Sequence, residues 1–143
     1  MLKNKITLLI MGCFFAALSL QAQSIAGTWK TIDDDTNEAK SYVQLYEQNG
    51  AVFGKVTRLL KSEPTKKCTE CPGERKDQPI LGMIVLESLQ LKDGHYQNGK
   101  ILDPEKGKWY TCKAWLKDGD PNVLVVRGYI GIFYRTQYWY KVQ

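Results

Sequence analysis

The chain has one histidine, no Gly-x-Ser-x-Gly elbow, no glycine-rich phosphate loop, and no run of basic residues longer than Lys66-Lys67. Each absence excludes something. Without such an elbow or loop, and with the single histidine, His95, in the turn-rich stretch KDGHYQNG, conventional hydrolase machinery is missing. The charge of +5, from 20 Lys and Arg against 15 Asp and Glu, is spread out. No nucleic-acid patch or polybasic membrane anchor is visible. The one long apolar run, Ile6 to Leu20, is too short and too poorly flanked to span a bilayer.

That run does set an address. Lys3 and Lys5 precede it and Gln21-Ala22-Gln23 follows, which is the three-part layout of a secretory signal peptide over residues 1–22. Ile10-Met11-Gly12-Cys13 offers a competing lipoprotein box, but the apolar run continues past Cys13 as an uncut core would. The expectation is a periplasmic or secreted protein without a lipid anchor, its residues 23–143 forming a single domain with no transmembrane segment. Losing Lys3 and Lys5 lowers the charge to 18 − 15 = +3.

The mature part shows almost no helical period and many short strands between turn signals. Strands are expected at Ala26 to Ile32, Ser41 to Gln48, Val52 to Leu60 and Pro79 to Leu91, the last with a bend at Gly82. Short strands flank Asn98-Gly99, and Lys108 to Lys117, Val123 to Ile130 and Phe133 to Val142 complete the set. Asn49-Gly50, Asp93-Gly94 and Asp118-Gly119 are hairpin turns, because those residues accept positive φ. A polar excursion from Lys61 to Gln78 is the one long connection. An antiparallel meander of this size removes its exposed edges by closing. The expected fold is all-β, an up-and-down β-barrel of about eight strands. The alternative, a β-sandwich, needs longer crossing connections than these.

Cys68-Thr-Glu-Cys71 has a spacing open to several chemistries. Pro72 stands where haem attachment needs histidine, and a loop rather than a helix start surrounds the pair. A zinc set with Cys112 and His95 is one reading, a catalytic dithiol another, and a disulfide tying down the long loop is preferred for an exported chain. Cys112 then remains free, on one apolar strand face with Tyr110, Ala114 and Leu116. Asp33, Asp35 and Asn37 alternate like calcium ligands, but Glu38 and Gln44 occupy the positions where such a loop requires glycine and glutamate. They read as a turn, as do Asp103-Pro104-Glu105. No metal, no cofactor and no catalytic residue is assigned.

The end of the chain is dense in aromatics. Trp109, Tyr110, Trp115, Tyr129, Phe133, Tyr134, Tyr138, Trp139 and Tyr140 are interleaved with Arg127 and Arg135. On the last strand Phe133, Arg135, Gln137, Trp139 and Lys141 share one face, and Tyr134, Thr136, Tyr138 and Tyr140 the other. Tyr110, Trp115, Arg127, Tyr129, Tyr134, Tyr138 and Tyr140 are the candidate ligand-binding residues, with an arginine as donor fork for a ligand carboxylate or phosphate.

Two resemblances follow from quoted stretches. Gly27-Thr-Trp29 on the first strand resembles the Gly-x-Trp signature of lipocalins and related calycins. In those barrels the tryptophan closes one end under a late arginine. The resemblance therefore implies a pair of Trp29 with Arg135, or with Lys141 as substitute. Over nearly the whole mature chain, GTWKTIDDDT, YEQNGAVFGKV, CTEC, PILGMIVLESL, NGKILDPEKGKWYTC and LVVRGYIGIFYRTQYW resemble the ordered motifs of the bacterial exported domain of unknown function 2147 family. That resemblance implies a calycin-like barrel and no stated activity. Together with the aromatic load it yields the expected function, binding of a small apolar or amphipathic molecule. A structural or protein-interaction module of the cell envelope with a filled barrel is the alternative, and an envelope redox or hydrolytic enzyme the third reading.

Overall fold

The computed structural model describes residues 23–143. The expected signal peptide over 1–22 lies outside the described residues. Eight strands, β1 (Gly27–Ile32), β2 (Ala39–Gln48), β3 (Ala51–Leu59), β4 (Ile84–Lys92), β5 (His95–Asp103), β6 (Lys108–Lys117), β7 (Asp120–Ile130) and β8 (Phe133–Lys141), close an antiparallel barrel in sequence order. The order β1 to β8 around one closed sheet is the up-and-down arrangement, and it leaves no second sheet for a sandwich. Among the described residues no helix is long and apolar enough to cross a membrane.

Turn chemistry sets the hairpins. Asn49 and Gly50 have φ of 52° and 78°, as do Asp93 and Gly94, and two consecutive positive φ values match the right-handed twist of the flanking strands. Two expectations shift. Residues 79–83 are not strand, because Gly82 (φ 86°) turns the chain before β4 begins. Asn98-Gly99 is a bulge inside a continuous β5 rather than a turn between two strands. A Cβ on Gly99 would lie 2.7 Å from Leu89 Cγ, so the missing side chain makes room for Leu89 in the core.

The two ends of the barrel differ. At the end of the β2–β3, β4–β5 and β6–β7 turns, Trp29, Leu45, Val52, Leu86, Leu89, Cys112, Ala114 and Leu124 fill the interior, each 2% exposed or less. Gly54 lets this half pack solid, since a Cβ there would meet Leu45 and Leu86, each at 2.9 Å. The other end carries the longer β1–β2, β3–β4 and β5–β6 connections and the β7–β8 turn.

The β3–β4 connection folds over that second end instead of hanging free. Cys68 N–H donates to the Gln78 carbonyl at 2.8 Å and Ile80 N–H to the Lys66 carbonyl at 3.0 Å, so the loop is its own small hairpin. Cys68 and Cys71 are joined in a disulfide, and Ile80 is buried in the core. The loop rests on the β5–β6 turn at Gly107, where φ is 62° and a Cβ would fall 1.6 Å from the Glu70 carbonyl oxygen. Only glycine fits there. Arg75 fastens its far side, paired with Glu87 and lying 5.0 Å over the Trp109 ring.

Candidate functional site

The half of the barrel under this cap is hollow. Val43, Val56, Val85, Ile101, Val126 and Trp139 wall a cavity of about 180 Å³. That is the space of roughly six waters at about 30 Å³ each, below the usual ligand pocket of about 300–1,000 Å³ and close to a cavity that holds benzene. Alternation decides which side chains reach it. On β8 the odd positions Arg135, Gln137 and Trp139 face inward, and on β6 the even position Tyr110 does. Gly128 opposite keeps the space open, because a Cβ would sit 3.3 Å from Tyr110 Cβ.

Polar groups enter this apolar chamber at two levels. Inside, the Thr31 and Ser41 hydroxyls bond each other at 2.7 Å, both residues buried. Each satisfies the other, which lowers the cost of placing them in an apolar wall. At the mouth, the Trp139 indole N–H donates to Gln137 Oε1 at 3.1 Å, and Gln137 Nε2 donates to Asp34 Oδ2 at 2.6 Å. Arg135 Nε reaches the same Asp34 oxygen at 3.0 Å. These side chains bridge a seam where β1 and β8 pair over a short stretch, at Trp29 with Lys141 and Lys30 with Tyr140, with the Val142 N–H donating to the Thr28 carbonyl at 2.9 Å. Across the mouth, Glu105 pairs with Lys40 at 3.5 Å and Lys66 at 3.9 Å.

Of the candidate ligand-binding residues, only Tyr110 lines the cavity. The remaining six belong to the outer wall. Arg127 Nε donates to Thr136 Oγ1 at 2.8 Å, and its guanidinium lies 5.2 Å over Trp115 and 4.4 Å over Tyr134. Tyr129 packs on Tyr134 at 5.7 Å, while Tyr138 and Tyr140 stand 48% and 43% exposed. The physical reason is strand parity: Arg127 and Trp115 belong to the outward faces of β7 and β6, and the β8 tyrosines to the outward face of β8.

For Trp29 the partner is the substitute, Lys141, and not Arg135. Trp29 is fully buried, its indole N–H donates to the Ile25 carbonyl at 2.9 Å, and the cation over its ring is Lys141 Nζ at 5.6 Å. Arg135 shares the inward face but starts the strand rather than ending it, so it lies at the mouth against Asp34. The residues that sequence reasoning passed over are Thr31, Ser41, Asp34, Gln137 and Trp139. The parity of β8 pointed to Gln137 and Trp139 beside Arg135. No sequence signal marks Asp34, whose partner is distant in the chain.

Among the described residues Cys68, Cys71, Cys112 and His95 do not come together as one set. Cys68 and Cys71 are buried together, with Cys68 Sγ against the Pro104 carbonyl oxygen at 3.2 Å, and neither borders the cavity. Cys112 is enclosed in the packed half, where burial pushes its thiol up to about 12. His95 stacks on Trp115 at the packed end. Among the described residues no three His, Cys, Asp or Glu side chains converge as a metal site needs. Asp33 makes the turn: its Oδ1 accepts the Asp35 and Thr36 N–H groups at 2.9 and 3.0 Å. The Thr36 N–H, then the Lys61 ammonium, hold the Asp33 carboxyl well below the usual carboxylate range.

Comparison with known proteins agrees with this geometry. No curated protein matches the chain. A solved structure of a protein from the human pathogen Helicobacter pylori, described as belonging to the lipocalin family, is similar in fold. The TM-score is 0.72 at 20% identity, over 84% of each chain. A half-hollow eight-stranded barrel opened by Gly27-Thr-Trp29 agrees with the motif order read along the sequence, and the model of one family matches residues 27–141: the chain belongs to DUF2147, the family described as an uncharacterized protein conserved in bacteria.

Proposed function

We propose that this protein is an exported binding protein for a compact amphipathic molecule, held apolar end inward beneath the β3–β4 loop. The observation that carries the reading is the division of the interior. The interior is filled around Trp29, while Val43, Val56, Val85, Ile101, Val126 and one side of the buried Trp139 border an open cavity that Gly128 helps keep clear. A barrel needed only as a scaffold gains stability by filling such a volume. The cavity selects for size: about 180 Å³ holds a ring or a short branched chain, not a long acyl tail. Its apolar wall supplies affinity, while Tyr110, the Thr31 and Ser41 hydroxyls and the Arg135 guanidinium offer hydrogen bonds to a polar end.

Native mass spectrometry of the protein purified from its own envelope tests this reading. The expected result is a retained small molecule that Val126→Phe, which places a ring in the cavity, displaces without changing the barrel's circular dichroism. Equal retention by the variant, or a ligand-free mass for the wild type, overturns it.

A further inference from the structure

One hairpin tip departs from the chemistry of the other three. Asn49-Gly50, Asp93-Gly94 and Asp118-Gly119 turn the chain with polar residues, whereas β7 and β8 meet at Gly131-Ile132, flanked by Ile130 and Phe133. Gly131 has φ 57°, so glycine at the first turn position meets the backbone requirement and leaves the second position open to a polar residue. Ile132 stands there 88% exposed, beside Phe133 at 76%, Tyr134 at 61% and Ile130 at 42%. Neither turn geometry nor the core accounts for this apolar tip.

Charge on the same wall is one-sided. Of the bases from Lys108 onward, Lys117 and Lys141 lie at the opposite end of the barrel with the acids Asp118 and Asp120, and Arg135 is paired with Asp34, which leaves Lys113 and Arg127 on the outer wall behind the tip. Between Gln23 and Gly107, 13 acids stand against 12 bases. Behind the apolar tip come the paired Tyr129 and Tyr134, then Lys113 at 5.5 Å over Tyr129 and Arg127 at 4.4 Å over Tyr134. Apolar tip, amphipathic rings and then cations is the order in which a bilayer presents hydrocarbon, interface and anionic headgroups.

We propose that the β7–β8 tip docks the barrel onto an anionic lipid surface, with Ile132 and Phe133 entering the interface and Lys113 and Arg127 facing the headgroups. The charge pattern selects lipid over a second copy, because a two-fold contact through this wall would set Lys113 and Arg127 against themselves. The tip stands at the same end as the cavity mouth, so docking turns that mouth toward the membrane. The inference does not depend on the cavity holding a ligand.

Vesicle flotation of residues 23–143, which contain the whole closed barrel, tests it. Vesicles of phosphatidylethanolamine with phosphatidylglycerol should carry the wild type, and those of phosphatidylcholine alone should carry much less. The double variant Ile132→Ser, Phe133→Ser should lose about 100-fold in partitioning, on the usual value of burying two such side chains. Its unfolding midpoint should not fall, since both residues are exposed. Lys113→Glu should weaken binding to anionic vesicles and leave the tip intact, and added salt should do the same. Wild type that stays out of anionic vesicles, a double variant that binds as well as wild type, or a dimer in solution that the double variant abolishes would each overturn the proposal.

Discussion

The same face of β8 sends one cation to each end of the barrel, and the two meet different partners. Lys141 lies over the fully buried Trp29, while Arg135, roughly 20 Å away at about 3.3 Å per residue, meets Asp34 at the mouth, where its own side chain is 54% exposed. One cation stacks on a ring already fixed by the Ile25 carbonyl and surrounded by leucine and valine. The other belongs to a chain of side chains that replaces missing backbone pairing between β1 and β8. One end is held by packing and the other by tied loops and polar bridges. The contrast places stability at the first and leaves room for a ligand at the second.

The largest effect expected from breaking this contrast is at Trp29. Trp29→Ala should cost about 3–5 kcal/mol in a denaturant melt, the usual cost of removing a buried aromatic side chain. Lys141→Ala should cost far less, because the ring keeps its other contacts. Next in size is the disulfide. Cys68→Ser with Cys71→Ser should cost about 2 kcal/mol on the loop-entropy account, and hydrogen exchange should quicken over residues 61–78 before it does in β1 or β2. If Trp29 and the disulfide cost the same, the distinction between a packed end and a tied end fails.

Smaller effects sharpen the comparison at the mouth. Arg135→Ala should cost below about 1 kcal/mol, since a half-exposed ion pair is screened by water, yet it should loosen whatever the cavity retains. A pH titration separates the turn from the packed half. Asp33 has its carboxyl held low in the fold, so its contribution is complete above the ordinary carboxylate range and fades as acid protonates the folded form. Asp33→Asn should flatten that acid limb. Cys112 behaves in the opposite sense: its thiol, raised to about 12, keeps its proton in the fold while the unfolded chain ionises above about 9. Stability should therefore fall between those pH values, and Cys112→Ala should remove the slope. In the native protein Cys112 should also resist alkylation at neutral pH until the barrel unfolds.

Much of the fold was legible because strand chemistry is local. Asn49-Gly50 and Asp93-Gly94 needed only their own backbone preferences to announce hairpins, and the alternation along β8 correctly divided Arg135, Gln137 and Trp139 from Tyr134, Tyr138 and Tyr140. What alternation could not say was which of the two faces is the inside. Both faces of β8 carry aromatics, so the candidate residues were drawn largely from the outer wall. Asn98-Gly99 shows the same limit at a turn, because a dipeptide that accepts positive φ serves a bulge as readily as a hairpin.

The sequence by itself determined the all-β class, the Asn49-Gly50 and Asp93-Gly94 turns, the presence of a Gly-x-Trp strand and a count of about eight strands, because each rests on contacts between near neighbours. Only the tertiary structure decided that Lys141 rather than Arg135 covers Trp29, that Asp34 and Gln137 tie the mouth, and that Trp139 borders the hollow. Those outcomes depend on the register between the first strand and the last and on a loop folded across the barrel's end. Register joins residues more than a hundred positions apart, and that is information no local pattern carries.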